Sequence, residues 1–331
     1  MSMLSVVLPA FNEREAIAQI LERILAVGGA LRLEAGITEL EVLVVDDGST
    51  DGTDRVVARV AAAARDGRAT VRLVRHGNNR GYGAALQTGF AQARGSLLAF
   101  LDADNTYPPE HLPALCRAAR TPGTDLVLGD RMSSDSSQMP PLRWVGNALF
   151  ALLTSLLAGS RVADCCSGMR VLPLATWRKL GPLPEGLDFT PAMTMRALHR
   201  QFRLREVVIP YYERVGRSKL KIVRDGVRFL ATILRETLVH RPVRLWILVG
   251  SAGAAVLGLA GASIALAAAH RLPWAHLGIS LLLGGVALLA GSSLLCWSVS
   301  PRTPPVISGL AVPDMVAPSR RGTRGEEERA S

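Results

Sequence analysis

Apolar positions come first in short unbroken runs and then at helical spacing, and this alternation repeats along the first 130 residues. Leu4 to Pro9 reads as a buried strand, and Glu13 to Ala26 carries apolar residues three and four apart, as a helix does. A second unit follows, with a strand over Glu41 to Val45, a turn over 46–53 and an Ala- and Val-rich helix from Asp54 to Arg65. Strands are expected at Thr70 to Val74 and Ser96 to Leu101, and helices at Ala84 to Ala93 and Pro109 to Arg120. Asp125 to Gly129 is the last strand-like piece. Such β/α alternation predicts an α/β fold with a mostly parallel sheet and the active site at the carboxyl ends of its strands.

Beyond residue 130 the pattern changes. Arg143 to Ala158 sets Trp144 and Phe150 in a weakly charged Leu- and Ala-rich helix, which suits either a membrane surface or an ordinary buried position. Arg214 to Arg244 holds nine Lys or Arg against two acids, with Ile222, Val223, Val227, Phe229, Leu230, Ile233 and Leu234 between them. That spacing predicts a basic amphipathic helix in an anionic headgroup layer, with Lys221, Arg224 and Arg228 on one side and Phe229, Leu230 and Ile233 on the other. Leu245 to Ala269 and Leu277 to Val299 are uncharged over 25 and 23 residues, enough to cross a bilayer as a hairpin. Arginines flank the pair on one side, which predicts an integral plasma (inner) membrane protein with the catalytic domain and both termini in the cytoplasm. No secretory signal is expected, because Glu13, Arg14 and Glu15 interrupt the first apolar run. Four parts result: a catalytic domain over 1–213, a basic juxtamembrane segment over 214–244, a hairpin over 245–299 and a disordered cytoplasmic tail over 300–331.

Composition sharpens this picture in two respects. Mean hydropathy is +0.24, high for a purely soluble enzyme. A net charge of +10 points to an anionic partner, and the cations gather beside the apolar spans without a stacking-aromatic pattern, so lipid and phosphorylated substrates are favoured over nucleic acid. Cys116, Cys165, Cys166 and Cys296 lack C-x-x-C spacing and read as reduced thiols; the six histidines show no ligand spacing.

Candidate chemistry lies at strand ends. Asp102 and Asp104, two apart on extended chain, point the same way and suit a hard divalent cation whose shell is completed by phosphate. Read together, Leu8-Pro9-Ala10-Phe11-Asn12-Glu13, Val45-Asp46-Asp47-Gly48-Ser49-Thr50-Asp51-Gly52-Thr53, Asn79-Arg80-Gly81-Tyr82-Gly83-Ala84 and Asp102-Ala103-Asp104 closely resemble the family 2 glycosyltransferases of GT-A fold. Gly129-Asp130-Arg131, Asp164 to Arg170 and Glu213 to Lys219 look like the polyprenyl-phosphate sugar synthases within that family, including dolichyl-phosphate mannose synthase and bacterial undecaprenyl-phosphate homologues.

The resemblance implies a Rossmann-like GT-A domain and inverting transfer of a sugar to a polyprenyl phosphate, from UDP-hexose or GDP-mannose, the former favoured. It implies that Pro9, Phe11, Glu13, Asp47 and Asp102 line the nucleotide pocket, and that Asp102 and Asp104 meet Mg²⁺ or Mn²⁺. Arg131, Arg143, Arg214, Ser218 and Lys219 would then hold the diphosphate or the acceptor. Thr106 stands where similar mannose synthases usually place a metal-contacting Gln. Asp164 is a candidate to orient the acceptor or take a residual proton, helix capping being the alternative. Partners are thus a nucleotide sugar, polyprenyl phosphate and membrane lipids; a homo-oligomer is compatible with the chain. Two rivals are weaker. Gly81-Tyr82-Gly83 lacks the third glycine of a dinucleotide loop and follows the wrong strand, and the Q-x-x-R-W motif of processive synthases is absent. A membrane-tethered, non-catalytic sugar-nucleotide-binding scaffold, or a transferase acting on another lipid, remains the alternative.

Overall fold

The computed structural model describes residues 2–64, 69–216, 221–270 and 285–286. Seven strands form one sheet: β1 (Met3–Ala10), β2 (Glu39–Asp46), β3 (Ala69–Arg75), β4 (Leu97–Phe100), β5 (Leu126–Asp130), β6 (Arg170–Pro173) and β7 (Leu204–Val208), in the order β3-β2-β1-β4-β6-β5-β7. β6 runs antiparallel to its neighbours β4 and β5, while every other pairing is parallel. The sheet is therefore mixed and mostly parallel, as expected. Its last two strands are additions to the sequence reading, which ended the strands at residue 129.

The side-chain period of two splits β1 between two cores. Leu4, Val6 and Leu8 pack with α1 (Ile17–Ala26), α2 (Gly28–Ala35), α3 (Thr53–Ala63) and α5 (Leu112–Ala119) on one face. Val7 packs with α4 (Tyr82–Gln92), α7 (Leu174–Leu180) and α8 (Phe189–His199) on the other. The first helix begins at Ile17 and not at Glu13. The backbone N–H groups of Asn12, Glu13 and Arg14 are taken by Ser49 Oγ, Thr53 Oγ1 and an Asp51 carboxylate oxygen, so they are spent on the neighbouring turn. The Asp46 to Thr53 motif thus staples the first two strand-end loops together, in addition to whatever it binds.

Outside the sheet, α6 (Pro141–Ala158), α9 (Ile222–His240) and α10 (Pro242–His270) pack on one another and on α8 through Leu157, Met195, Ile233 and Leu245. Here the expectation for the basic helix needs correcting. It starts at Ile222, and Phe229 and Ile233 turn inward onto the protein, because α8 and α6 offer them an apolar seat. The apolar residues that α9 leaves outside are Ile222, Val223, Val227, Leu230 and Val239. α6 is not an ordinary buried helix: Leu142, Trp144, Val145, Leu149, Leu152 and Leu156 are all exposed. Among the described residues, α6 and the 242–265 part of α10 are the two helices long and apolar enough to cross a membrane. The second expected span, apart from residues 285 and 286, and the tail lie outside the described residues, as do Ser218 and Lys219.

Candidate active site

Strand order dictates who meets whom. β1, β2, β4 and β5 deliver Glu13, Asp47, Asp102 with Asp104, and Arg131 just beyond their carboxyl ends. Because β6 runs the other way, its amino-terminal end lies at that same edge, and the loop 164–168 enters the site from there. The residues converge on a cavity of about 490 Å³ whose lining includes Pro9, Phe11, Glu13, Asp47, Asp102, Asp104, Arg131, Arg143 and Arg214. On the α6 and α9 side the wall sets apolar side chains, Met139, Leu142, Phe150, Ile222 and Phe229, among Arg143, Asn147, Arg224, Asp225 and Arg228 of the same helices.

The two carboxylates at the floor are held differently. Asp102 Oδ1 accepts a hydrogen bond from the Tyr82 hydroxyl at 2.8 Å. Asp104 Oδ1 accepts both the Thr106 N–H and, at 2.5 Å, the Thr106 hydroxyl, while its Oδ2 lies 2.8 Å from Arg214 Nη1. Arg214 also reaches Glu13 Oε1 at 2.5 Å, so one guanidinium bridges two acids. Burial, and then the Asp104 carboxylate, push Asp102 up to about 7. An acid raised by burial and by a neighbouring carboxylate suits a hard divalent cation, which removes the repulsion. Among the described residues no group of three or more His, Cys, Asp or Glu could hold a metal alone, so the rest of such an ion's shell falls to water or a bound phosphate.

Arg131 is fixed from every side. Its Nε and Nη2 donate to the two oxygens of Asp164 at 2.6 and 2.8 Å, and its guanidinium sits 5.5 Å from the ring centroids of both Tyr107 and Tyr211. Burial would lower this cation, but Asp164 outweighs burial and holds it well above its ordinary value. Asp164 itself is fully buried and also accepts the Cys166 N–H. Both Asp164 oxygens are occupied here by Arg131 and the Cys166 N–H, and no helix begins there for it to cap. It positions Arg131.

Residues 5–173 match the family model described as Glycosyl transferase family 2. The chain belongs to this family. It is 31% identical over 303 residues to a low-salt glycan biosynthesis hexosyltransferase of Haloferax volcanii, a match covering 88% of this chain and 66% of that one. It is also 31% identical over 243 residues to a dolichyl-phosphate hexose transferase of the same organism, covering 72% and 95%. A crystal structure of glucosyl-3-phosphoglycerate synthase from Mycobacterium tuberculosis, in complex with Mn²⁺, UDP and glucosyl-3-phosphoglycerate, superposes with a TM-score of 0.53 at 22% identity. That match covers 71% of this chain and 80% of the synthase, and shows a shared GT-A fold.

In this glycosyltransferase, three tyrosines and a histidine escaped the sequence reading. Tyr82 lay inside a quoted motif, yet its partner Asp102 is 20 residues away. Tyr107 and Tyr211 meet around Arg131 only in the fold, and His76 meets Asp47 across two loops. One constraint was also hidden. A Cβ on Gly83 would lie 2.1 Å from the Pro184 carbonyl oxygen, and one on Gly81, whose φ is +109°, 2.6 Å from that of Glu185. Both obstacles are backbone. Gly83→Ala is expected to lower stability by about 1–3 kcal/mol, read from the thermal melting midpoint, because the loop 184–186 must lift off α4.

Proposed function

We propose that this glycosyltransferase moves a sugar from a nucleotide-sugar donor to a polyprenyl phosphate at the cytoplasmic face of a membrane. One observation carries the reading: one cavity holds both the floor of carboxylates and arginines and the apolar side chains Met139, Leu142, Phe150, Ile222 and Phe229 on the α6 and α9 side, so a phosphate and a hydrocarbon tail fit together. The dolichyl-phosphate hexose transferase among its relatives supports the acceptor class.

A phosphate monoester has its second pKa near ~6, so at neutral pH its oxygen is already an anionic nucleophile. No strong base is required, which agrees with the occupied state of Asp164. The acceptor oxygen bonds to the anomeric carbon as the bond to the donor diphosphate breaks, the nucleoside diphosphate leaves, and the configuration inverts. Asp102 and Asp104 would hold Mg²⁺ or Mn²⁺, which supplies charge neutralisation for the departing diphosphate. Arg131 is pre-oriented by Asp164 and the two tyrosines, so it presents its charge without reorganising. Arg143 and Arg214 add cations around the same space, with Lys219 and Ser218 assigned to the acceptor side by resemblance. The exposed apolar residues of α6 and the outer side of α9, set beside Arg224 and Arg228, favour a domain lying face down on the headgroups with α10 as anchor.

The test is a donor panel. Purified full-length protein, undecaprenyl phosphate and Mn²⁺ are given each nucleotide sugar in turn, and the lipid fraction is read by mass spectrometry. A polyprenyl-phosphate hexose from one donor is expected, and no glycolipid from any donor would overturn the reading.

A further inference from the structure

Along the sheet edge the cavity offers its groups in a fixed order. Asp47 follows β2, Pro9 and Phe11 lie on β1 or just past its end, and Asp102 and Asp104 follow β4. β1 separates β2 from β4, so Asp47 stands two strand spacings from the D-x-D pair, about 10 Å. That is the span from a nucleobase edge to its diphosphate. With the diphosphate at Asp102 and Asp104, as the proposed function requires, the base reaches Asp47.

The Asp47 carboxylate is already committed. Its Oδ1 lies 2.6 Å from His76 Nδ1 and accepts the Arg80 N–H at 2.9 Å, while Oδ2 accepts the Gly81 N–H at 2.8 Å. His76 is itself buried, with Nε2 2.9 Å from the Thr88 hydroxyl on α4. An ionised carboxylate only accepts, so Nδ1 carries the proton in either charge state of the ring. Each carboxylate oxygen accepts about two hydrogen bonds. Among the described residues Oδ1 is therefore full, and Oδ2 has one place left.

We propose that His76 makes this a uridine site by leaving Asp47 a single open acceptor position. Uracil presents one N–H, at N3, between two carbonyls, and one acceptor satisfies it. Guanine presents N1–H and N2–H side by side, a pair that needs both carboxylate oxygens at once. Here one of those donors would be buried without a partner, or would have to displace His76. His76 is a positioning residue, acting through Asp47.

Calorimetric titration of the full-length, detergent-solubilised protein with UDP and with GDP, both with Mn²⁺, reads this directly. UDP is expected to bind at least about tenfold more tightly, the worth of roughly one hydrogen bond. His76→Leu frees a position on Oδ1 and should shrink that ratio by improving GDP relative to UDP. His76→Asn, whose amide nitrogen replaces Nδ1 as donor, should keep it. A general loss of structure would weaken both nucleotides and leave the ratio alone. GDP binding as tightly as UDP to the unaltered protein overturns the inference, and so does an unchanged ratio in folded His76→Leu. If His76→Leu does not fold, the ratios of the unaltered protein and His76→Asn decide. Failure of both nucleotides to bind overturns the proposed function as well, whereas a preference for GDP overturns only the choice of base.

Discussion

Asp104→Asn is expected to cut turnover about a thousandfold, equivalent to roughly 4 kcal/mol of lost transition-state stabilisation, with little loss of stability. Thr106 braces Oδ1 and Arg214 faces Oδ2, so this carboxylate is aimed before any ligand arrives. Glu13 is already taken by the same arginine and offers no substitute. The amide keeps the shape but loses the charge that would face a divalent cation. Stability should hold because Asp102 is raised partly by its neighbour's charge, and the substitution relieves that repulsion. Steady-state turnover and a melting curve on the same preparation separate the two effects. Chelation of the metal from the unaltered enzyme should produce a loss of similar size. Near-normal turnover by Asp104→Asn would remove this carboxylate from the catalytic account.

Asp164→Ala should instead cost stability first, about 3–5 kcal/mol, since it strands a buried guanidinium. The pair is desolvated, with side-chain exposures of 8% for Arg131 and 0% for Asp164. Tyr107 and Tyr211 attract the cation but cannot replace the two hydrogen bonds it loses. Chemical denaturation gives the magnitude, and a double substitution gives the cause. Arg131→Met combined with Asp164→Leu should recover most of the stability, because no unpaired charge remains, yet stay inactive. If the double variant is no more stable than Asp164→Ala, the loss comes from packing and not from the stranded charge.

The strand-end chemistry was legible because local pattern and chemistry coincide there: apolar runs as short as β1 and β2, each closed by turn residues, read as buried strands, and the acids directly after them then share an edge. β6 was not legible, since Arg170–Pro173 is four residues long and opens on a charge that the fold buries entirely. β7 escaped for a related reason: Arg205 and Glu206 stand side by side, both exposed, between the half-buried Leu204 and Val207. The pairing of Asp164 was hidden because an acid in a candidate motif does not reveal its partner, and Arg131 is 33 residues away. The facing of α9 was hidden likewise: periodicity shows that a helix has an apolar side, not whether lipid or protein covers it.

The reversed strand also sets a timetable for the nascent chain. β5 hydrogen-bonds only to β6 and β7, so it has no place in the sheet when it leaves the ribosome. At about 5–20 residues per second, β6 follows some 2 to 9 s later. During that interval the β1-to-β4 half can close, with an open edge on β4 and the apolar β5 still waiting. The nucleotide side of the enzyme is thus born before the arginine side, and a chain stalled near residue 130 exposes a strand edge that invites pairing with another copy.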